Sequence, residues 1–172
     1  MRILIDGYNL LFQSPFIGKG RGRGWLERAR RNLIVYLHSR IAEELLQKTF
    51  VVFDASQVGD SNVDYRSDKG VTVLFSRLHA EADDLLEEFI RKHPSPKSLL
   101  VVSSDQRVRK CAKARRAVSI NSEHFLTGLD QGRWKHQGTR LNELASESQT
   151  LDEKNQSLTD DQINFWLDEF NL

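Results

Sequence analysis

Three stretches of this chain are built on an unbroken apolar run and end at an aspartate. Ile3-Leu4-Ile5 precedes Asp6, FVVF (50–53) precedes Asp54, and SLLVVSS (98–104) precedes Asp105. A fourth run, VTVLF (71–75), is followed within ten residues by Glu81, Asp83 and Asp84. Strands this continuously apolar are covered on both faces, as strands of a parallel sheet are. Helical patterns lie between them. Leu26, Ala29, Leu33, Leu37, Ile41 and Leu45 recur at spacings of three and four and predict one long amphipathic helix over 26–46. Helices are also expected over 80–93, stopped by Pro94 and Pro96, and over 106–114. A short strand over 117–120 and a helical turn or two over 122–129 complete the pattern. Strands alternating with helices give an α/β fold, a central, mainly parallel sheet between two helix layers.

Right-handed crossovers place all the strand C-termini on one edge, where ligands of such sheets bind. Asp6, Asp54, Asp105 and the group Glu81, Asp83 and Asp84 all fall at that edge. A single aspartate after a strand reads as a turn residue or a helix cap. Several carboxylates gathered at equivalent positions repel one another unless a cation joins them. Hard cations such as Mg²⁺ or Mn²⁺ take carboxylate and water oxygens, and Asn9 adds a neutral ligand or hydrogen-bond donor. Such a site suits metal-assisted phosphoryl chemistry. No Ser-His-Asp or Cys-His arrangement is visible, and His38, His79, His93, His124 and His136 lack the spacing of zinc ligands. GKGRGRG (18–24) is neither a P-loop nor a dinucleotide fingerprint, and Tyr8 stands where a haloacid-dehalogenase phosphatase needs its second aspartate.

Charge points to the partner. Residues 140–172 hold two basic and eight acidic side chains, a net −6, which leaves +7 on residues 1–139. A basic body suits a polyanion. Lys19, Arg21 and Arg23, followed by Arg28, Arg30 and Arg31, form a candidate clamp for a phosphate backbone beside Asp6. Tyr8, Phe12, Phe16 and Trp25 are available to stack on unpaired bases or to pack in the core. The N-terminus has too short an apolar run for a signal peptide, no run is long enough for a membrane helix, and the one cysteine, Cys111, suits a reducing compartment. A cytoplasmic protein is expected.

The organisation expected is a domain over 1–134, a polar linker over 135–158, and a short amphipathic helix over 159–172 with Ile163, Trp166, Leu167 and Phe170 on one face. A helix that short must dock on its own domain, a second copy or another protein.

ILIDGYNLL (3–11), ARRNLIVYL (29–37), VVFDAS (51–56), VTVLFSRLHAEADDLLEEFI (71–90) and LLVVSSDQRVRKCAKARRAVSINSEHF (99–125) occur together in one order. In that order and spacing they resemble the NYN domain, specifically the YacP-like branch of the PIN-like nucleases. The resemblance covers roughly residues 1–128 and leaves the acidic tail outside. It implies a PIN-like three-layer α/β/α sandwich and Mg²⁺- or Mn²⁺-dependent cleavage of RNA, in some members messenger RNA on the ribosome. Carried over residue by residue, it gives Asp6 and Asn9 as the first motif, Asp83 and Asp84 with Glu81 as the central acids, Asp105 as the third acid, and Ser104 as the hydroxyl residue that helps hold the site. Asp54 matches a recurrent position with a supporting role. Close relatives often carry Glu-Thr-Ala-Asp where this chain reads Ala80-Glu81-Ala82-Asp83, which leaves open which central acid holds metal. The reading expects Asp6, Asp84 and Asp105 on the metal, with Asp83 and Glu81 at or just behind it. The alternatives are a non-catalytic RNA- or ribosome-binding module on the same fold and a DNA-directed structure-specific nuclease.

Overall fold

The computed structural model describes residues 1–17, 24–54, 65–76 and 82–135, apart from the side chains of 65–68. Its strands are β1 (Arg2–Asp6), β2 (Thr49–Phe53), β3 (Tyr65–Asp68), β4 (Val71–Phe75), β5 (Leu99–Val102) and β6 (Val118–Ile120). Its helices are α1 (Gly7–Gln13), α2 (Trp25–Arg40), α3 (Glu43–Leu46), α4 (Ala82–Lys92), α5 (Gln106–Ala114) and α6 (Ser122–Asp130). The sheet order is β3-β4-β2-β1-β5-β6. The five strands from β4 to β6 are parallel, and β3 runs antiparallel along the edge of β4.

Successive side chains of a strand point to opposite faces, and here each face meets its own helix layer. Ile3 and Ile5 of β1 pack with Leu10 and Leu11 of α1, Leu33 and Leu37 of α2 and Phe125 of α6. Leu4, between them, packs with Leu86 and Ile90 of α4 and Val108 of α5. The chain is therefore the expected α/β/α sandwich with a mainly parallel sheet. From β1 it winds to β2 and β4 on one side, then crosses to β5 and β6 on the other. The switch point lies between β1 and β5, and a crevice opens beyond their carboxyl ends.

Three elements depart from the sequence pattern. The helix expected over 26–46 breaks at Ile41 and Ala42, both extended, and resumes as α3. Burial of Ile41 in the core and capture of the Ala42 N–H by the Trp134 carbonyl at 2.8 Å outweigh continued helix there. The helix α1 follows Asp6 at once, where the sequence pattern assigns no element. The strand β3 forms because Lys69 and Gly70, with φ of 50° and 80°, make a tight hairpin turn onto β4. The linker over 135–158 begins at the last described residue, and the helix expected over 159–172 lies outside the described residues.

Candidate active site

Asp6 ends β1 and caps α1. Its Oδ1 accepts the Asn9 N–H at 3.1 Å and its Oδ2 accepts the Ser103 hydroxyl at 2.9 Å. The close fit of α1 against the sheet depends on Gly7, since a Cβ there would lie 2.7 Å from the Val52 carbonyl oxygen and 2.5 Å from the Phe53 ring. A bulkier residue would push the first turn off β2 and carry Asp6 with it.

Asp105 occupies the equivalent place after β5. It caps α5, its Oδ1 accepting the N–H groups of Arg107 at 2.6 Å and Val108 at 3.2 Å. The two caps are joined through Ser103, whose Oγ donates to Asp6 and accepts the Asp105 N–H at 3.0 Å. A buried serine thus ties together the acids on either side of the switch point.

Asn9 acts beside them as a brace. Its Oδ1 accepts the Ser104 N–H at 3.0 Å and the Ser122 hydroxyl at 2.7 Å. The Ser104 Oγ accepts the Gln13 amide at 3.0 Å and the Ser122 N–H at 3.1 Å. Through these bonds α1, the loop after β5 and the start of α6 are held as one unit. Sequence reasoning missed Ser103, Gln13 and Ser122. Gln13 had a signal, four residues after Asn9 on the same helix face. The two serines had none, because a lone serine at a strand end is ordinary.

Asp6 is only 7% exposed. Burial pushes its carboxyl up to about 6, and the like charges of Asp83 and Asp105 push the same way, against the Asn9 N–H and the Ser103 hydroxyl. Both of its hydrogen-bond donors are neutral. Asp83 and Asp84 open α4, but they differ. Asp84 accepts from Arg107 at 2.5 Å, and Arg107 also donates to the buried Glu87 at 2.7 Å. Those bonds, the one from Asp84 first, hold the Arg107 guanidinium well above its ordinary range. Arg91 donates to Glu87 from the other side. Neither Glu87 nor Arg107 was foreseen; their i,i+4 and cross-helix pairing lacks a distinctive pattern in a chain so rich in charge.

Asp54 follows β2 on the same edge and faces Tyr8, whose hydroxyl accepts from Arg30 at 2.7 Å. Arg30 is buried, its guanidinium over the Phe53 and Phe75 rings at 5.9 and 6.0 Å. It is thus built into the α2 layer, away from the exposed Arg28 and Arg31; Arg31 pairs with Glu27 at 3.0 Å. Glu81, Lys19, Arg21 and Arg23 lie outside the described residues. Among the described residues no group of three or more His, Cys, Asp or Glu side chains is arranged to hold a metal ion. The donor chemistry nonetheless suits a hard cation: the carboxyl of Asp6 is buried, bonded by neutral donors alone, and pushed upward by two further carboxylates.

A mainly parallel sheet between two helix layers, with acids at the carboxyl ends of its central strands, is the architecture of the PIN-like α/β/α proteins. The chain belongs to the YacP-like NYN domain family, whose model matches residues 3–168. That match runs on through the polar and acidic segment, so the tail, which the motif resemblance leaves outside, lies within the family's span. The structure is similar to crystal structures of Rae1 (YacP) from Bacillus subtilis. One matches at 18% identity over 99% of this chain and 92% of that chain, with a TM-score of 0.59. Another, of a single-residue variant, matches at 21% identity over 77% of each chain, with a TM-score of 0.60. No curated protein matches by sequence. Among the described residues no helix is long and apolar enough to cross a membrane.

Proposed function

We propose that this protein is a divalent-metal-dependent endoribonuclease that cleaves single-stranded RNA in the cytoplasm, with messenger RNA on the ribosome as the substrate the family resemblance implies. The observation that carries the reading is Asp6: a buried carboxyl with a raised pKa, facing Asp83 and Asp105. Clustered negative charge beside a polyanion serves no binding purpose unless a cation joins it. Asp6, Asp83 and Asp105 are the residues proposed to hold Mg²⁺ or Mn²⁺. Asp83 joins this set because its charge acts on Asp6; Asp84, which is bonded to Arg107, and Glu81, from the segment before α4, stay candidates. A divalent cation supplies two things at such a site: it lowers the pKa of water and neutralises charge on a phosphate.

The chain's own groups do the rest. Ser103 and the Asn9 N–H fix the orientation of the Asp6 carboxylate. Asn9, with Ser104 and Ser122, keeps the Asp6 and Asp105 elements in register. Arg28 and Arg31, with Lys19, Arg21 and Arg23, are the proposed holds on the RNA backbone.

The two caps give the rival reading its footing, since helix capping alone is reason enough for Asp6 and Asp105 to be there. On that reading the fold only binds RNA. Incubation of an unstructured RNA and its DNA counterpart with Mg²⁺ or Mn²⁺ separates the two. Internal cleavage of the RNA, stopped by EDTA and lost in Asp105→Asn, is expected. RNA binding that ignores metal and yields no product would instead establish the binding module.

A further inference from the structure

Residues 19–31 hold six basic side chains and one acidic one, +5, and they are not the only basic stretch of the chain. Residues 106–121 contain Arg107, Arg109, Lys110, Lys113, Arg115 and Arg116 and no acidic residue. This one stretch therefore carries +6, against +7 for the whole of residues 1–139. Ordinary helix chemistry explains part of it. Cations near a helix C-terminus complement its dipole, which covers Lys113 and Arg115 at the end of α5. Arg107 is engaged by Asp84 and Glu87. Neither reason reaches Lys110 in the middle of the helix, and α5 has no acid in its first turn to pair with it.

The arrangement is directional. Val108 and Ala112 of α5 are buried against the sheet. At about 100° per residue, the side opposite them carries Gln106, Lys110 and Lys113, all three exposed. This stripe starts next to Asp105, the cap of α5, and runs away from the crevice. It ends beyond the helix at Arg116, also exposed, whose φ is 60°. Glycine is the usual residue in that left-handed position after a helix. A cation stands there instead, in a backbone conformation that L residues rarely adopt.

We infer that the outward face of α5 is a phosphate track, on which Lys110, Lys113 and Arg116 bind the backbone of a single RNA strand and lead it to Asp105. The inference rests on the proposed function for the identity of the polyanion. It adds a binding surface separate from Arg28 and Arg31 of α2, on the opposite helix layer.

The test is RNA affinity of the full-length chain in metal-free buffer, where cleavage plays no part. A short unstructured RNA is titrated by fluorescence anisotropy at several salt concentrations. The track variant is Lys110→Gln/Lys113→Gln/Arg116→Asn, asparagine being tolerated at positive φ. The control is Lys48→Gln/Lys97→Gln/Lys135→Gln, which removes the same charge from exposed positions elsewhere. Loss of three contacts is expected to weaken binding about tenfold and to lower the slope of log K against log salt by about 2, while the control shifts neither appreciably. Equal weakening by both variants would reduce the track to net charge and overturn it. A track variant that binds like wild type would also overturn it, and would leave the stripe to an acidic protein. Failure of the nuclease reading is distinguishable: if Asp6→Asn still cleaves, that assignment falls, while the anisotropy result stands.

Discussion

Asp6 does two things whose requirements conflict. As a cap it accepts the Asn9 N–H in the first turn of α1, and as a buried carboxyl it resists ionisation. Its folded pKa of about 6 lies above the ordinary 3.8. The folded state therefore holds this proton more tightly than the unfolded chain does. The resulting stabilisation is fully present below about pH 4 and is lost as pH rises through about 6, a loss of about 3 kcal/mol when complete. Asp6→Asn keeps a capping oxygen and removes the titration. In the presence of EDTA the variant is expected to be more stable than wild type at pH 7 by about 1–2 kcal/mol, with the difference vanishing towards pH 4. Urea unfolding across that range reads it, and an unchanged pH dependence in the variant would contradict the assignment. A carboxyl titration followed by NMR extends the test: Asp83→Asn should lower the Asp6 midpoint, and Asp84→Asn, whose charge is already met by Arg107, should leave it nearly fixed. The acids were legible in the sequence because each follows an apolar strand. The pairing of Asp84 with Arg107 was not, because it turns on which face of α4 meets α5, a contact made across 23 residues.

At the scale of elements, the strands other than β3 and the helices α4, α5 and α6 were legible because each carries a long enough apolar period. The helix α1 was not, because seven residues give too few repeats to separate a helix from a turn. Its signals were local: Asp6 at the cap and Gly7 where the backbone must approach β2. Gly7→Ala tests that close approach. The added methyl would meet the Val52 carbonyl oxygen and Phe53, and overpacking of this kind costs about 1–3 kcal/mol. Thermal unfolding should show the loss. Cleavage by the still-folded variant should fall as well, since Asp6 leads into the displaced turn. A variant with wild-type stability and activity would mean that α1 settles elsewhere at no cost. The break between α2 and α3 was hidden for another reason: the Trp134 carbonyl that takes the Ala42 N–H lies 92 residues further along the chain.

At the scale of the molecule, Trp134 closes the described core. It is fully buried, packs against Phe125 with ring centroids 5.1 Å apart, and lies at the domain boundary read from the sequence. We expect a chain ending at Lys135 to unfold in one cooperative transition, with a midpoint within a few degrees of the full chain, and Trp134→Ala to lose about 3–5 kcal/mol. A truncated chain without such a transition would place part of residues 136–172 in the core. The family's span runs on through residue 168, so a −6 segment over 140–172 and a +6 stretch over 106–121 share one polypeptide.

The central claim is that the acids at the switch point bind a metal and use it. A titration of Mn²⁺ into wild type and Asp6→Asn, reading bound Mn²⁺ and cleavage of a single-stranded RNA in the same samples, tests it most directly. The account predicts saturable binding and cleavage by wild type. In the variant it predicts loss of that binding and a fall in cleavage of about 100-fold or more, as removing about 3 kcal/mol of transition-state stabilisation requires. Cleavage that survives in Asp6→Asn, or wild type that neither binds Mn²⁺ nor cuts, would contradict it.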